Sequence, residues 1–163
     1  MDIRILPMDR VEHCDKSIKI IQEEFFLKDL PTRYDKNGLG KYCYKTKGIV
    51  AKKNTPILFQ YKKKIIAMAT FEKRVKFEKE QNGYFGTYYF KPETIEIFEP
   101  VSEATICKIF NKNITFSQTK HKLNGDFLPD FISYLKERRG IDINIIKTQE
   151  WDCIKTICYK VKE

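Results

Sequence analysis

Histidine, tryptophan and glycine are scarce in this 163-residue chain, which has two, one and seven of them. No glycine-rich phosphate loop is present; Gly83 and Gly86 read as a turn and a strand irregularity. The five cysteines, Cys14, Cys43, Cys107, Cys153 and Cys158, are odd in number and no two have Cys-x-x-Cys spacing. That argues against a disulfide scaffold or a zinc knuckle and for reduced, mostly buried thiols in a cytoplasmic protein. No apolar run approaches the roughly 20 residues that span a bilayer, so no membrane partner is expected. The opening Met-Asp-Ile-Arg has neither the basic nor the apolar region of a secretory signal.

What is abundant is positive charge and aromatic rings. The formal net charge is +9, and 13% of residues are Phe, Trp or Tyr. Residues 51–90 carry nine Lys/Arg against three Asp/Glu, so a quarter of the chain supplies most of the excess. There, Pro56–Tyr61 and Ile65–Phe77 are apolar, β-prone runs joined by Lys62, Lys63 and Lys64. This is a hairpin with a cationic tip. Beyond it come Lys73, Arg74, Lys76 and Lys79, then the aromatic run Tyr84–Phe90. Cations interleaved with rings suit a polyanion with flat bases, and nucleic acid is the leading partner class. A solvated hairpin tip or an edge guarded by lysine would leave the same pattern.

Length and the 42% apolar content fit one domain, 1–163. Ile3–Leu6 reads as a short strand. Asp9 and Glu12 have capping-box spacing, and Val11, Cys14, Ile18, Ile21 and Phe25 recur as one helical face that Pro31 should stop. The polar stretch 31–55, with Tyr34, Tyr42, Tyr44 and the turn Asn37-Gly38, is long enough to line a site or cover a sheet edge. After the hairpin, Gln81-Asn82-Gly83 predicts a turn and 84–90 a strand. Pro92 should break that strand before a further one over 94–98. Ser102 caps a short helix to Phe110, 113–117 reads as a strand, and Asp126 caps a helix carrying Phe127, Phe131 and Leu135 and ended by Gly140. Strands over 141–145 and Ile154–Val161 close the order. The fold class is α+β, a curled sheet or small, mostly antiparallel barrel flanked by helices.

Catalysis finds little support, and no catalytic residue, metal or cofactor is assigned. His13 reads as structural or exposed, and no cysteine is marked as activated. Glu93, Glu96 and Glu99 lie close enough to suggest a nuclease centre, but Glu96 alternates with isoleucines as a solvent-facing strand residue would. An acyltransferase needs a strand entering a glycine-bearing loop and helix that holds a CoA pyrophosphate. After Phe77 the chain enters an aromatic strand instead. A small stand-alone enzyme, nuclease or acyl-transferring, stays as the alternative function.

Ile57-Leu-Phe-Gln-Tyr-Lys-Lys-Lys-Ile-Ile-Ala-Met-Ala69 and Tyr88-Tyr-Phe-Lys-Pro-Glu-Thr-Ile-Glu-Ile-Phe-Glu-Pro100 resemble the PUA-like superfamily. That group includes the EVE, ASCH, YTH and SRA-type modules, some attached to prokaryotic restriction endonucleases. The resemblance covers about residues 55–135, with Ile114-Thr-Phe-Ser-Gln-Thr and the helix Phe127–Leu135 in the places of a strand and closing helix. It implies a small curved β-barrel that reads a base, often modified, in DNA or RNA, as the specificity module of a defence system with a nuclease domain or subunit as partner. On that reading Lys62, Lys63, Lys64, Lys73 and Arg74 meet phosphates. Tyr61, Tyr84, Tyr88 and Trp151 stack or form pocket walls, and Ser117, Gln118 and His121 read polar edges. Phe85, Tyr89 and Phe90 read as core.

Overall fold

Alternating apolar residues in six segments of the chain build one sheet. The computed structural model describes residues 1–32, 40–45 and 48–138. Its strands are β1 (Asp2–Pro7), β2 (Gly40–Tyr44), β3 (Pro56–Tyr61), β4 (Lys64–Gln81), β5 (Tyr84–Ser102) and β6 (Lys122–Asn124). Their order is β2-β5-β4-β3-β1-β6, with β1 parallel to β3 and every other neighbouring pair antiparallel. The architecture is α+β. The hydrogen-bonded sheet is open, with β2 and β6 at its ends, so strand pairing does not close it into a ring among the described residues.

Two apolar clusters lie on opposite faces. β3 sits between them, with Ile57 and Phe59 in one cluster and Leu58 in the other, which explains its unbroken apolar run. The first cluster is closed by helix α1, whose end turns Ile18–Ile20 and Leu30–Thr32 are α-helical and whose middle, Ile21–Asp29, is wound as a π-helix. Buried Gln22 pins α1 to the sheet, donating from Nε2 to the carbonyls of Ile66 (2.9 Å) and Phe98 (2.7 Å). The second cluster is closed by α2 (Glu103–Ile109) and α3 (Leu128–Arg138), which bring Ile106, Phe131 and Leu135 against Phe98 and Phe110. No helix of the described residues is long and apolar enough to cross a membrane.

Ser102 does cap α2, its Oγ accepting from Thr105 N at 3.3 Å. The Lys62-Lys63 turn has both residues left-handed, φ 48° and 59°, as a two-residue type I′ hairpin requires. Asn82 and Gly83 (φ 54° and 86°) repeat the device between β4 and β5. The first helix begins later than Asp9 implied. Cys14 and Asp15 are left-handed (φ 54° and 50°), Val11 is 85% exposed, and Ser17 is the cap, its Oγ accepting from Ile20 N at 3.2 Å. Pro31 falls inside the last turn instead of ahead of it.

Pro92 does not end its strand either. Lys91 pairs with Thr70 and Glu96 with Met68, so the intervening residues of β5 form a bulge that holds the proline. Thr94 repairs the ladder there: its Oγ1 accepts from Thr70 N (2.8 Å) and donates to the Lys91 carbonyl (2.6 Å). Residues 113–117 are irregular; Ile114 and Phe116 are buried, and Phe116 N donates to the Glu103 carboxylate at 2.6 Å instead of to a strand. Asn124, not Asp126, caps the turn into α3. Glu96 is buried at 6% exposure, against the expectation of a solvent-facing residue, and Phe85 is 45% exposed where a core position was expected. The turn Asn37-Gly38, Tyr34, Gly140, the strands over 141–145 and Ile154–Val161, and Trp151 lie outside the described residues.

Candidate functional site

A groove opens between the loop that precedes α1 and the β2–β5 edge of the sheet. It consists of two cavities, about 310 Å³ and about 100 Å³, that share Glu12, Tyr42 and Cys43. The larger is walled by His13 and Phe25 on one side and Tyr84 on the other. The smaller adds Tyr44, Lys45, Tyr88, Gln118 and Lys120. A broader hollow of about 500 Å³, between Asn111–Lys112 and β6, contains none of the site residues expected from the sequence.

The loop wall is tied down from several directions. Asp9 Oδ1 accepts from Val11 N at 2.8 Å, turning the chain so that Glu12 enters both cavities. Arg10 donates Nε and Nη2 to Asp15 Oδ1 at 3.0 and 2.9 Å, and Lys62 Nζ lies 3.4 Å from the same oxygen. The Arg10 guanidinium, then Lys62, hold the Asp15 carboxyl below the usual carboxylate range. Tyr61 donates its hydroxyl to the Lys16 carbonyl at 2.6 Å; burial pushes that phenol up.

The sheet wall is aromatic. Tyr84 donates its hydroxyl to Glu12 Oε1 in a close contact, and Lys45 Nζ lies 5.2 Å above the Tyr84 ring. Tyr42 is buried with its phenol pushed strongly upward, first by desolvation and then by the Glu12 charge. Tyr44 stacks on Tyr88 at 4.5 Å and 23°. Glycine makes that stack possible, because a Cβ on Gly86 would lie 2.2 Å from the Tyr44 hydroxyl and 2.6 Å from the Val75 carbonyl oxygen. Tyr88 is fully buried, its hydroxyl accepts from Ile49 N at 2.8 Å, and burial pushes its pKa up to about 12.

Of the residues expected at a site, Tyr84 and Gln118 come together on this groove, whereas Tyr88 lies beneath its wall, fully buried and covered by Tyr44. Tyr61 is buried under the loop at 1% exposure. Exposed Ser117 closes a local turn with Thr119, and the His121 ring is held by the Thr115 carbonyl at 2.9 Å from Nε2. Among the cations, Lys62 is engaged by Asp15, Lys63 is exposed and Lys64 half-buried. Exposed Lys73 and Arg74 lie further along β4, roughly 30 Å from the hairpin tip at strand spacing. Lys73 Nζ sits 5.0 Å over Tyr89, and Arg74 donates to the Gly48 carbonyl at 3.2 Å.

Glu12, Tyr42, Lys45 and Lys120 were not singled out from the sequence. Glu12 carried the signal of a capping residue, and Tyr42 lay in the polar stretch read as lining a site. Among the described residues no three His, Cys, Asp or Glu side chains gather to hold a metal ion.

No family model and no curated protein matches the chain. Two solved structures are similar to it. One is ASCH from Zymomonas mobilis, 12% identical with a TM-score of 0.49, covering 80% of this chain and 93% of that one. The other is a mutant of the same protein, 13% identical with a TM-score of 0.47, covering 80% and 96%. Both neighbours are ASCH proteins.

Proposed function

We propose that residues 1–163 form a single nucleic-acid-binding module of the PUA-like kind, which takes one unpaired base into the groove between the Asp9–Lys16 loop and β2. The observation that carries this reading is the pair of neighbouring cavities sharing Glu12, Tyr42 and Cys43, with the half-buried Tyr84 ring in the larger and Lys45 and Lys120 beside the smaller. The larger volume is that of a small-molecule site. Rings supply stacking surface, Glu12 and Gln118 supply polar contacts, and lysine supplies phosphate attraction. Lys63, Lys64, Lys73 and Arg74 extend the basic surface, whereas Lys62 is committed to the loop. The resemblance to modules attached to restriction endonucleases supports a modified base in DNA as the target and a nuclease domain or subunit as the partner that cuts.

The test is a fluorescence-anisotropy titration with matched single-stranded DNA and RNA oligonucleotides, unmodified or methylated at cytosine or adenine, at two salt concentrations. Tighter binding to one strand type that survives added salt, and that falls at least tenfold in Tyr84→Ala, supports a base reader. Uniform weak binding abolished by salt would sink the groove reading and leave only a basic surface. Cleavage of the labelled strand on a denaturing gel would move the enzyme alternative ahead.

A further inference from the structure

We infer that Glu12 selects the base, by accepting a hydrogen bond from an exocyclic amino group, so that the groove favours amino-bearing bases over their keto or unsubstituted counterparts. This rests on the groove reading above and names the ligand chemistry within it. Among the described residues Glu12 is the one carboxylate in the walls of both cavities, and it is half-buried. An ionised carboxylate offers about four lone-pair sites and no proton. Tyr84 occupies one of them as donor, which orients the carboxylate and commits the Tyr84 proton to Glu12 instead of to a ligand.

The other polar groups in the smaller cavity discriminate less. Asp9 has its Oδ1 taken by Val11 N, and Gln118 both donates and accepts. Lys45 and Lys120 are cations suited to phosphate or to any keto oxygen. Asp9 in the smaller cavity and Glu24 and Asp29 in the larger are carboxylates too, but Glu12 is the one common to both, and it sets a one-way rule there: a donor facing it is bonded, whereas a keto oxygen facing it meets acceptor against acceptor. Cytosine carries an amino group where uracil carries a keto oxygen, with N3 changing from acceptor to donor beside it, and the base of guanosine differs from that of inosine by one amino group alone.

The experiment measures affinity of the full chain for a single-stranded oligonucleotide with one central cytidine, uridine, guanosine or inosine in an otherwise constant sequence. The amino-bearing member of at least one pair is expected to bind about tenfold tighter. Glu12→Gln, whose amide oxygen still accepts from Tyr84 but whose nitrogen donates, should bring that ratio below about twofold. Tyr84→Phe, which keeps the ring but removes the donor that orients Glu12, should keep the direction of the preference with a smaller ratio. Equal affinities within both pairs, with binding still lost in Tyr84→Ala, would overturn the role of Glu12 alone. A ratio unchanged in Glu12→Gln would do the same. Failure to bind any of the four strands would remove the nucleic-acid reading and this inference with it.

Discussion

Lys62 reaches from the tip of the β3–β4 hairpin to Asp15, its Nζ 3.4 Å from Asp15 Oδ1 and donating to the Asp15 carbonyl at 3.1 Å. The contact joins a left-handed turn residue to a left-handed loop residue, φ 48° and 50°, and so couples two backbone conformations that L-residues otherwise avoid. It places the hairpin behind the groove wall that carries Glu12. The neighbouring Lys63 points to solvent, so adjacent lysines of one turn have different tasks.

That division can be separated by salt. Lys63→Ala should lower oligonucleotide affinity and flatten the slope of log affinity against log salt, by roughly 0.7 for each single-strand phosphate that is no longer neutralised. Lys62→Ala should lower affinity while leaving the slope unchanged, because it loosens the wall and leaves every phosphate neutralised as before. Titrations at several salt concentrations check both; equal slope changes would refute the assignment of Lys62.

The same ion pair has an acid limit. Asp15 is held below its ordinary value of 3.8 by Arg10 and Lys62. A depressed folded pKa means that the unfolded chain binds the proton first, so the stability it contributes is present above about 3.8 and lost as pH falls through the lower folded value. Urea midpoints for the wild type should therefore fall from pH 5 to pH 3 more than those of Asp15→Asn.

Tyr88 acts through stability. Tyr88→Phe keeps the ring on Tyr44 but strands the Ile49 amide that its hydroxyl serves, at a cost of about 1–3 kcal/mol. The urea midpoint should drop with an unchanged slope. In the wild type, a phenol raised to about 12 keeps its proton in the folded state while the unfolded chain, near 10, loses it. Stability held below pH 10 is then lost as pH rises toward 12, and Tyr88→Phe should lessen that loss.

Gly86→Ala tests the aromatic wall. The added methyl meets the Tyr44 ring and the Val75 carbonyl oxygen, and a backbone atom cannot swing aside as a side chain does. Overpacking of this kind costs about 1–3 kcal/mol. A lower melting temperature and a changed near-ultraviolet tyrosine dichroism are expected, whereas a variant as stable as the wild type would show that Tyr44 has room to move.

Features held by neighbours in the chain were legible beforehand. The hairpin turns within Lys62–Lys64 and Gln81–Gly83, the helix cap at Ser102 and the Ile18, Ile21, Phe25 part of the helical repeat each depend on a few consecutive dihedrals, although Val11 and Cys14 of that repeat fall in the loop. Where a local signal had two uses, the nearer one misled. Asp9 and Glu12 have the spacing of a capping box, yet the left-handed Cys14 and Asp15 turn that segment into a loop and release Glu12 to the groove. Pro92 is a strand breaker in isolation, but a bulge repaired by Thr94 carries the strand past it. Glu96 alternates as a surface residue would, but α2 and α3 cover that face of the sheet as well.

The sequence by itself determined the class of the fold, the two hairpin turns at Lys62-Lys63 and Asn82-Gly83, the basic surplus of residues 51–90 and the aromatic character of β5, because each follows from residue type and short periodicity. Only the tertiary structure decided which rings face the groove. Strand alternation says that two sets of side chains point opposite ways, and nothing in it says which set meets a helix, a loop or water. Tyr88 is sealed by Tyr44, Tyr61 by the Lys16 carbonyl, and Tyr84 is turned toward Glu12 72 residues earlier in the chain. Those pairings depend on contacts between distant segments, whose free energy is settled by packing the whole sheet at once.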